Sequence, residues 1–152
     1  MFTERSSGLV LRSYQLEPAR AICRSVLDDL GLSFVIIFPR QSGKNELQAQ
    51  IESYLLAVCS VVPAEIVKIS PTWKPQSQNA MRRLQRVLEK SLVLKSRWQK
   101  ESGYIYRVDK ARVYFFSGQP ESSIVGATAS TLLEVDEAQD VLISKYDKEI
   151  AP

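Results

Sequence analysis

The chain has 152 residues, of which 45% are hydrophobic and 24% charged, which is enough apolar surface for one domain with a real core. Its formal net charge is +3, and it contains no histidine, which removes the commonest general base and the commonest zinc ligand. No apolar run reaches the roughly 18 residues of a membrane span, and the N-terminus lacks the apolar core of a signal peptide, so we expect no membrane contact and a cytoplasmic location.

The first predicted element is an amphipathic helix that starts between Tyr14 and Glu17. Pro18 fits only in the first turn of such a helix, where its missing N–H is not needed, and Gly31 supplies the C-terminal stop. The apolar residues that recur at helical spacing are Leu16, Ala19, Ile22, Cys23, Val26, Leu27 and Leu30. The two cysteines, Cys23 and Cys59, lie in separate helical patterns and predict reduced thiols.

A strand, a tight loop and a helix are predicted next. Residues 34–38 are apolar on both faces, which is typical of a buried parallel strand, and a helical pattern follows Gly43-Lys44. A glycine in this position lets backbone N–H groups approach an anion, the helix N-terminus favours negative charge, and the lysine adds a point charge. Residues 39–46 therefore predict a phosphate-binding loop, although Phe38 replaces the usual first glycine and Asn45 the usual Ser or Thr.

The rest of the chain predicts an α/β fold. The remaining elements are, in chain order, a strand at 65–70, a long helix at 76–94 with Met81, Leu84, Leu88 and Leu92 inward, a hairpin with strands at 104–108 and 112–117, and a strand at 130–135. This order predicts a mainly parallel central sheet flanked by helices, plus an antiparallel hairpin.

Asp136 and Glu137 directly follow the last predicted strand. In open α/β sheets ligands bind at the carboxyl ends of strands, so this pair and the Gly43-Lys44 loop should face the same crevice. Phosphoryl transfer requires a lysine on the phosphates, a carboxylate that holds Mg²⁺ and a group that orients the attacking water. Lys44, Asp136 and Glu137 are expected to fill those roles in that order.

The loop also resembles that of a known family. Arg40-Gln41-Ser42-Gly43-Lys44 resembles the Arg-Gln-x-Gly-Lys form of the nucleotide loop in the large terminase subunits of tailed bacteriophages, which are the ATPases of DNA-packaging motors. Leu11-Arg12-Ser13-Tyr14-Gln15 is similar to the Leu-Arg-x-Tyr-Gln segment that precedes this loop in the family and in related helicases, where the glutamine recognises adenine. Gly118, residues 124–126 and Asp136-Glu137-Ala138 follow in the family's order.

The resemblance implies a P-loop NTPase fold of the ASCE or RecA-like kind and a Mg²⁺-dependent ATPase that moves double-stranded DNA into a prohead. ATP and Mg²⁺ are the implied cofactors, and the implied partners are double-stranded DNA, a small terminase subunit, a portal and further copies of the chain. It also implies that residues 1–152 are a truncated N-terminal portion of the ATPase domain, with the family's nuclease domain absent. Whether this portion hydrolyses ATP by itself stays open.

Site residues follow from the same resemblance. Lys44 and Arg40 would neutralise charge on the transferring phosphoryl group, and Glu137 would activate water. The implied nucleotide-binding residues are Gln15, Arg40, Gln41, Ser42, Gly43, Lys44 and Asn45. The implied metal ligands are Asp136 and Asn45, whose amide oxygen ligates Mg²⁺ less naturally than a hydroxyl does.

Other interpretations remain open. A superfamily-2 helicase or translocase lobe shares the Tyr-Gln and Asp-Glu-Ala features, and a nucleotide-binding or assembly module without hydrolysis is suggested by Asn45. Taken alone, Arg40 is also typical of a structural clamp, and Asp136-Glu137 of acids at a helix N-terminus. The basic residues on and after the long helix are typical of a solvated face, with contact to a DNA backbone as the alternative: Arg82, Arg83, Arg86, Lys90, Lys95, Arg97 and Lys100.

Overall fold

A five-stranded mixed sheet with helices packed on it forms the frame of the chain in the computed structural model, which describes residues 2–124 and 126–150. The strands are β1 (Ala64–Ser70), β2 (Trp98–Glu101), β3 (Ile105–Val108), β4 (Ala111–Ser117) and β5 (Leu132–Val135). Their order across the sheet is β2-β3-β4-β1-β5. Val125, which belongs to the family-like segment at 124–126, lies outside the described residues.

The α/β class is confirmed, and the sheet is mixed, with three adjacent parallel strands and an antiparallel half that contains the predicted hairpin. β1 runs parallel to β4 and to β5, whereas β2 with β3 and β3 with β4 are antiparallel. The reason is that the predicted hairpin does not stand apart from the sheet. Its strand β4 pairs directly with β1, and β2, which the sequence did not predict, extends the antiparallel half by one strand.

Within residues 2–124 and 126–150, four α-helices precede or connect the strands, namely α1 (Phe2–Ser7), α2 (Ser13–Leu27), α3 (Lys44–Val58) and α4 (Gln78–Lys90). None of the helices within residues 2–124 and 126–150 is long and apolar enough to cross a membrane. The helix predicted at 76–94 is shorter than expected, and Leu92, predicted to point inward, is exposed because it follows the end of α4. Pro18 lies in the second turn of α2, since the helix begins at Ser13.

The predicted strand at residues 34–38 does not form. This segment pairs with neither edge of the sheet, and Val35 and Ile37 are 91% and 88% exposed. Ile36 and Phe38, which alternate with these exposed residues in the sequence, pack against the main core. An apolar run becomes a strand only where a neighbouring strand offers its backbone groups, and no described strand does so here.

The main core lies between one face of the sheet and the helices α2, α3 and α4. Its members include Leu47, Leu55, Ile66, Leu84 and Phe115, all nearly free of solvent contact. Removing a side chain of this size from water contributes about 1.5–3 kcal/mol, so this core fixes α3 and α4 on the sheet. A smaller cluster around Val67 and Ile69 covers the opposite face, because successive side chains of β1 point to opposite sides.

Candidate functional site

The loop before α3 makes a tight turn that requires a glycine. Ser42 N–H donates to the carbonyl oxygen of Pro39 at 3.3 Å, and Gln41 and Gly43 both have positive φ, at 59° and 83°. Gly43 is the residue immediately before the first turn of α3. A Cβ atom at Gly43 would lie 2.8 Å from Nε2 of Gln15, so both the backbone conformation and the close approach of Gln15 favour glycine.

The first turn of α2 holds this loop in place. Gln15 is buried, and its Nε2 donates to the carbonyl oxygens of Gly43 at 2.9 Å and Ser42 at 3.2 Å, while its Oε1 accepts from the N–H of Arg12 at 2.8 Å. The hydroxyl of Tyr14 donates to the same Ser42 oxygen at 2.6 Å. Contact between Gln15 and adenine stays a prediction, and it would require the amide to exchange some of these bonds.

Lys44, at the start of α3, meets both acidic residues that follow β5. Its Nζ lies 2.9 Å from Asp136 Oδ1 and 2.5 Å from Glu137 Oε1. The strand delivers Asp136 in a fixed position, because Asp136 N–H continues the ladder by donating to Ile69 O at 2.8 Å. Two segments 92 residues apart in sequence, 136 minus 44, thus form one cluster, which we call the outer cluster: Lys44, Asp136 and Glu137.

The charges of the outer cluster stabilise one another. Burial by itself lowers the pKa of Lys44, but hydrogen bonds and charge interactions with Glu137 and Asp136 outweigh it and raise this pKa above its usual value. The hydrogen bond from Lys44 is the largest cause that lowers the pKa of Glu137, with Gln139 and the charge of Arg40 as further contributions. Lys44 and Glu137 therefore form an ion pair at neutral pH.

Glu137 has an unfavourable backbone conformation and a partly exposed side chain. Its φ is 47°, in the left-handed region, which costs a non-glycine residue on the order of 1 kcal/mol. Its N–H donates to Asp136 Oδ1 at 3.1 Å, and Gln139 Nε2 donates to Glu137 Oε2 at 2.7 Å. Its carboxylate is thereby directed at Lys44 although its side chain is partly in solvent.

The other predicted site residues surround this cluster without joining it. Arg40 and Gln41 are exposed in the turn, and Asn45 is half-buried as the second residue of α3. Arg40 acts on Glu137 only through its charge, which helps to lower the pKa of that carboxyl group. The structure thus brings together Lys44, Asp136 and Glu137, and it leaves the roles of Arg40 and Asn45 as predictions.

The residues present fit a phosphate group with Mg²⁺. Ser42 Oγ is buried and has no hydrogen-bond partner within the described part of the chain, so an anion that reaches the loop would supply one. The described residues contain no cluster of three or more Asp, Glu, Cys or His side chains that holds a metal without help. Mg²⁺ suits this arrangement, because it is usually bound by one or two carboxylates together with substrate phosphates and water.

A cavity of about 520 Å³ lies elsewhere along the sheet, lined mainly by aromatic and small polar side chains such as Trp73, Tyr104 and Phe116. Lys44, Asp136 and Glu137 do not line it, and among the described residues that do, Glu121 alone is charged. An acidic, apolar lining does not suit a phosphate. The outer cluster, which is open to solvent, is therefore the better candidate site.

Sequence reasoning missed a second set of charged residues, which we call the inner cluster: Glu52 on α3, Lys68 on β1 and Glu134 on β5. Lys68 Nζ lies 2.6 Å from Glu52 Oε1 and 3.3 Å from Glu134 Oε2, and the Lys68 side chain is only 2% exposed. Burial lowers the pKa of Lys68, but the two carboxylates raise it well above its usual range. Burial raises the pKa of Glu134 above its usual value, and the charge of Lys68 opposes this shift. A lysine among the apolar residues of a buried strand was the available signal.

Comparison with protein-family models, with curated protein sequences and with solved structures finds no match for this chain. The assignment of function therefore depends on the chemistry and geometry of the residues described above.

Proposed function

We propose that this chain binds ATP with Mg²⁺ at the outer cluster and belongs to a P-loop ATPase motor like the large terminase subunits that it resembles. The observation that carries this proposal is the contact of Lys44, at a glycine-dependent helix start, with the two carboxylates that follow β5. A lysine on a phosphate-binding loop and an acidic pair at a strand end are the two parts that P-loop nucleotide chemistry requires.

Each residue has a distinct role in this proposal. The first turn of α3 and Lys44 would bind the outer phosphates. A carboxylate oxygen of Asp136 would serve as a ligand of the metal ion. Mg²⁺, when bound, neutralises charge on the phosphates. Glu137 orients the attacking water, and Arg40, exposed beside it, is available to stabilise charge on the transferring group.

Lys44 must change partners when a nucleotide binds. In the structure its ammonium group occupies the space between Asp136 and Glu137, where it neutralises the charge that the metal ion would otherwise neutralise. Its side chain is 26% exposed, so it has room to turn from the carboxylates toward a phosphate. Lys44 would therefore exchange these carboxylates for phosphate oxygens on binding.

Titration calorimetry with ATP and Mg²⁺ tests binding. We expect the wild-type chain to bind, and Lys44→Ala to weaken binding by at least about tenfold, because a hydrogen bond to a charged group is worth about 1.5–3 kcal/mol. Lys95→Ala is the matched control, since Lys95 is exposed and lies in the segment after α4. Equal binding by wild type and Lys44→Ala would disprove the assignment of the loop.

Asn45 favours a second candidate, a module that binds nucleotide without hydrolysing it. An asparagine amide replaces the hydroxyl that usually ligates Mg²⁺ at this position of the loop, so binding would survive while turnover falls. Phosphate release measured with Mg²⁺ and double-stranded DNA separates the two candidates. If wild type binds ATP without releasing phosphate and Asn45→Thr restores release, the non-hydrolysing module is supported. If Asn45→Thr also releases none, the damaged-metal-site explanation is wrong.

The motor proposal includes double-stranded DNA as a partner, together with a small terminase subunit, a portal and further copies of the chain. Arg82 and Arg86 are exposed one turn apart on α4 and offer positive charge to a phosphate backbone. Contact with DNA through such residues predicts that binding weakens steeply as salt rises. Phosphate release that is stimulated by double-stranded DNA at low salt would support the motor over a simple nucleotide-binding domain.

A further inference from the structure

Lys68 lies between α3 and β5, the two elements that carry the residues of the outer cluster. We call the boundary between these elements the seam. Lys68 is the fifth of seven residues in β1, and β1 lies between β4 and β5 in the sheet. In the strand register Lys68 is directly opposite Glu134 of β5. Its side chain leaves the sheet on the side covered by α3, where it reaches Glu52. Lys68 is thus the only described residue that forms an ion pair with both α3 and β5.

The same two elements carry the outer cluster. Glu52 is on α3, eight residues, or about two turns, after Lys44, and Glu134 is two residues before Asp136. Because alternate residues of an extended strand point to the same face, Glu134 and Asp136 both face α3. The ion pairs of Lys68 therefore join the same two elements as the contact of Lys44 with Asp136, about two turns further along α3.

Stability alone does not explain a buried cluster of this kind. One cation faces two carboxylates, and Glu52 Oε2 has no hydrogen-bond partner within residues 2–124 and 126–150. Replacing such a buried set with well-packed neutral residues is often neutral or stabilising, so the charges cost as much as they contribute. In some proteins a buried ion pair instead fixes the relative position of the elements that carry its charges.

We propose that Lys68 is a positioning residue that holds α3 against β5 and so sets the distance between Lys44 and Asp136. The catalytic relevance of that distance rests on the proposed function, whereas the mechanical role does not. A shift of about 1 Å between groups that must act together can reduce a rate by about 100-fold, so a fixed seam between α3 and β5 is of direct use.

A neutral version of the inner cluster tests this role without leaving a buried charge. The variant Lys68→Met/Glu52→Gln/Glu134→Gln keeps the side-chain volumes similar and should fold with near-native stability. The readout is the NMR signal of the Lys44 ammonium group in the nucleotide-free chain, assigned by its loss in Lys44→Ala. We expect a slowly exchanging signal in wild type, because two carboxylates hold this group, and loss of that signal in the triple variant.

Two further variants keep the test decisive. Should the triple variant fail to fold, Glu134→Gln removes the charge of the β5 partner alone and leaves the balanced pair of Lys68 with Glu52, and the same loss of the Lys44 signal is expected. Ile66→Val is the matched control, since it changes the core on the same strand and face without touching a charge. A folded triple variant, or a folded Glu134→Gln, with an unchanged Lys44 signal would overturn the proposal.

The nucleotide part is measured separately. Calorimetry with ATP and Mg²⁺ should show about tenfold weaker binding to the triple variant than to wild type, which corresponds to a loss of about 1.4 kcal/mol. If wild type binds no ATP, the proposed function is wrong, while the loss of the Lys44 signal still supports the positioning role. Equal affinity of the two proteins would contradict the link between Lys68 and the nucleotide site.

Discussion

Two clusters, each with one lysine and two carboxylates, lie along the same seam between α3 and β5, and they differ in their access to water. The inner cluster is sealed, with Lys68 2% exposed, whereas the outer cluster is open, with Lys44 26% exposed. Charges without water can neither leave nor exchange partners at low cost, but charges at a surface can. The inner cluster is therefore suited to holding the two elements, and the outer cluster to exchanging its ion pair for a ligand.

The comparison predicts unequal costs for losing each lysine. Lys68→Met leaves two carboxylates buried without their cation, so we expect a loss of about 3–5 kcal/mol in the free energy of unfolding. Lys44→Met removes a partly solvated ion pair and should cost about 1 kcal/mol or less. Urea unfolding of both variants beside wild type measures the difference. Equal losses would show that the inner cluster is not sealed in solution.

A substitution in the loop tests how firmly the open site is held. Gly43→Ala places a Cβ at a φ of 83° and 2.8 Å from Gln15 Nε2, so we expect a loss of about 1–2 kcal/mol together with displacement of the Gln15 amide. Gly103→Ala is the control, because its Cβ meets nothing within 4 Å and should change stability by less than about 0.5 kcal/mol. The same loss in both variants, again by urea unfolding, would rule out a strained loop.

The pH dependence of stability tests the charges of the outer cluster. The folded-state pKa of Glu137 lies below the usual value of 4.5, so its contribution is fully present above pH 4.5 and is lost as the pH falls through the folded pKa. The folded-state pKa of Lys44 lies above 10.5, so its contribution is present below pH 10.5 and is lost as the pH rises through the folded pKa.

In the variant Glu137→Gln, the free energy of unfolding should therefore fall less steeply than in wild type as the pH drops below 4.5. Because this side chain is more than a third exposed, solvent screens its interactions, and we expect a difference of less than about 1 kcal/mol between the two proteins. Unfolding free energies measured from pH 2.5 to pH 7 supply the comparison, as about two units on either side of the usual value cover the titration. Parallel curves for wild type and variant would mean that Glu137 is not paired with Lys44 in solution.

The smallest expected effect concerns the hydrogen bond from the Tyr14 hydroxyl to the loop before α3. Tyr14→Phe removes the hydroxyl that donates to Ser42 O but keeps the edge-on packing of this ring against Phe38. One exposed hydrogen bond is worth about 0.5 kcal/mol, so thermal unfolding should change little. A larger loss, similar to that of Gly43→Ala, would show that Tyr14 rather than Gln15 is the main support of the loop.

Local patterns predicted the parts of the fold that local physics determines. β1, the hairpin strands, β5 and the helix after Gly43-Lys44 were expected because apolar periodicity and turn residues mark them in the sequence. The strand at 34–38 was predicted on the same grounds and does not form, since pairing depends on a partner strand that a local pattern cannot reveal. The pairing of the hairpin with β1 was missed for the same reason.

The candidate site divides in a similar way. Lys44, Asp136 and Glu137 were expected to meet because strand ends converge at one edge of an α/β sheet, and in the structure they do. Neither the bonds of Gln15 to the loop backbone nor the inner cluster was predicted. Both depend on side chains that are far apart in the sequence and that packing brings together. In the inner cluster, Lys68 is 16 residues from Glu52 (68 minus 52) and 66 residues from Glu134 (134 minus 68).

The central claim is that the outer ion pair gives way to a nucleotide. A crystal structure of the chain with a non-hydrolysable ATP analogue and Mg²⁺ tests it most directly. We predict that Lys44 Nζ leaves Asp136 and Glu137 and contacts the outer phosphate oxygens, while the metal ion lies beside Asp136 and the inner cluster keeps its contacts. A structure in which Lys44 stays on Asp136 and the analogue binds elsewhere would contradict the account.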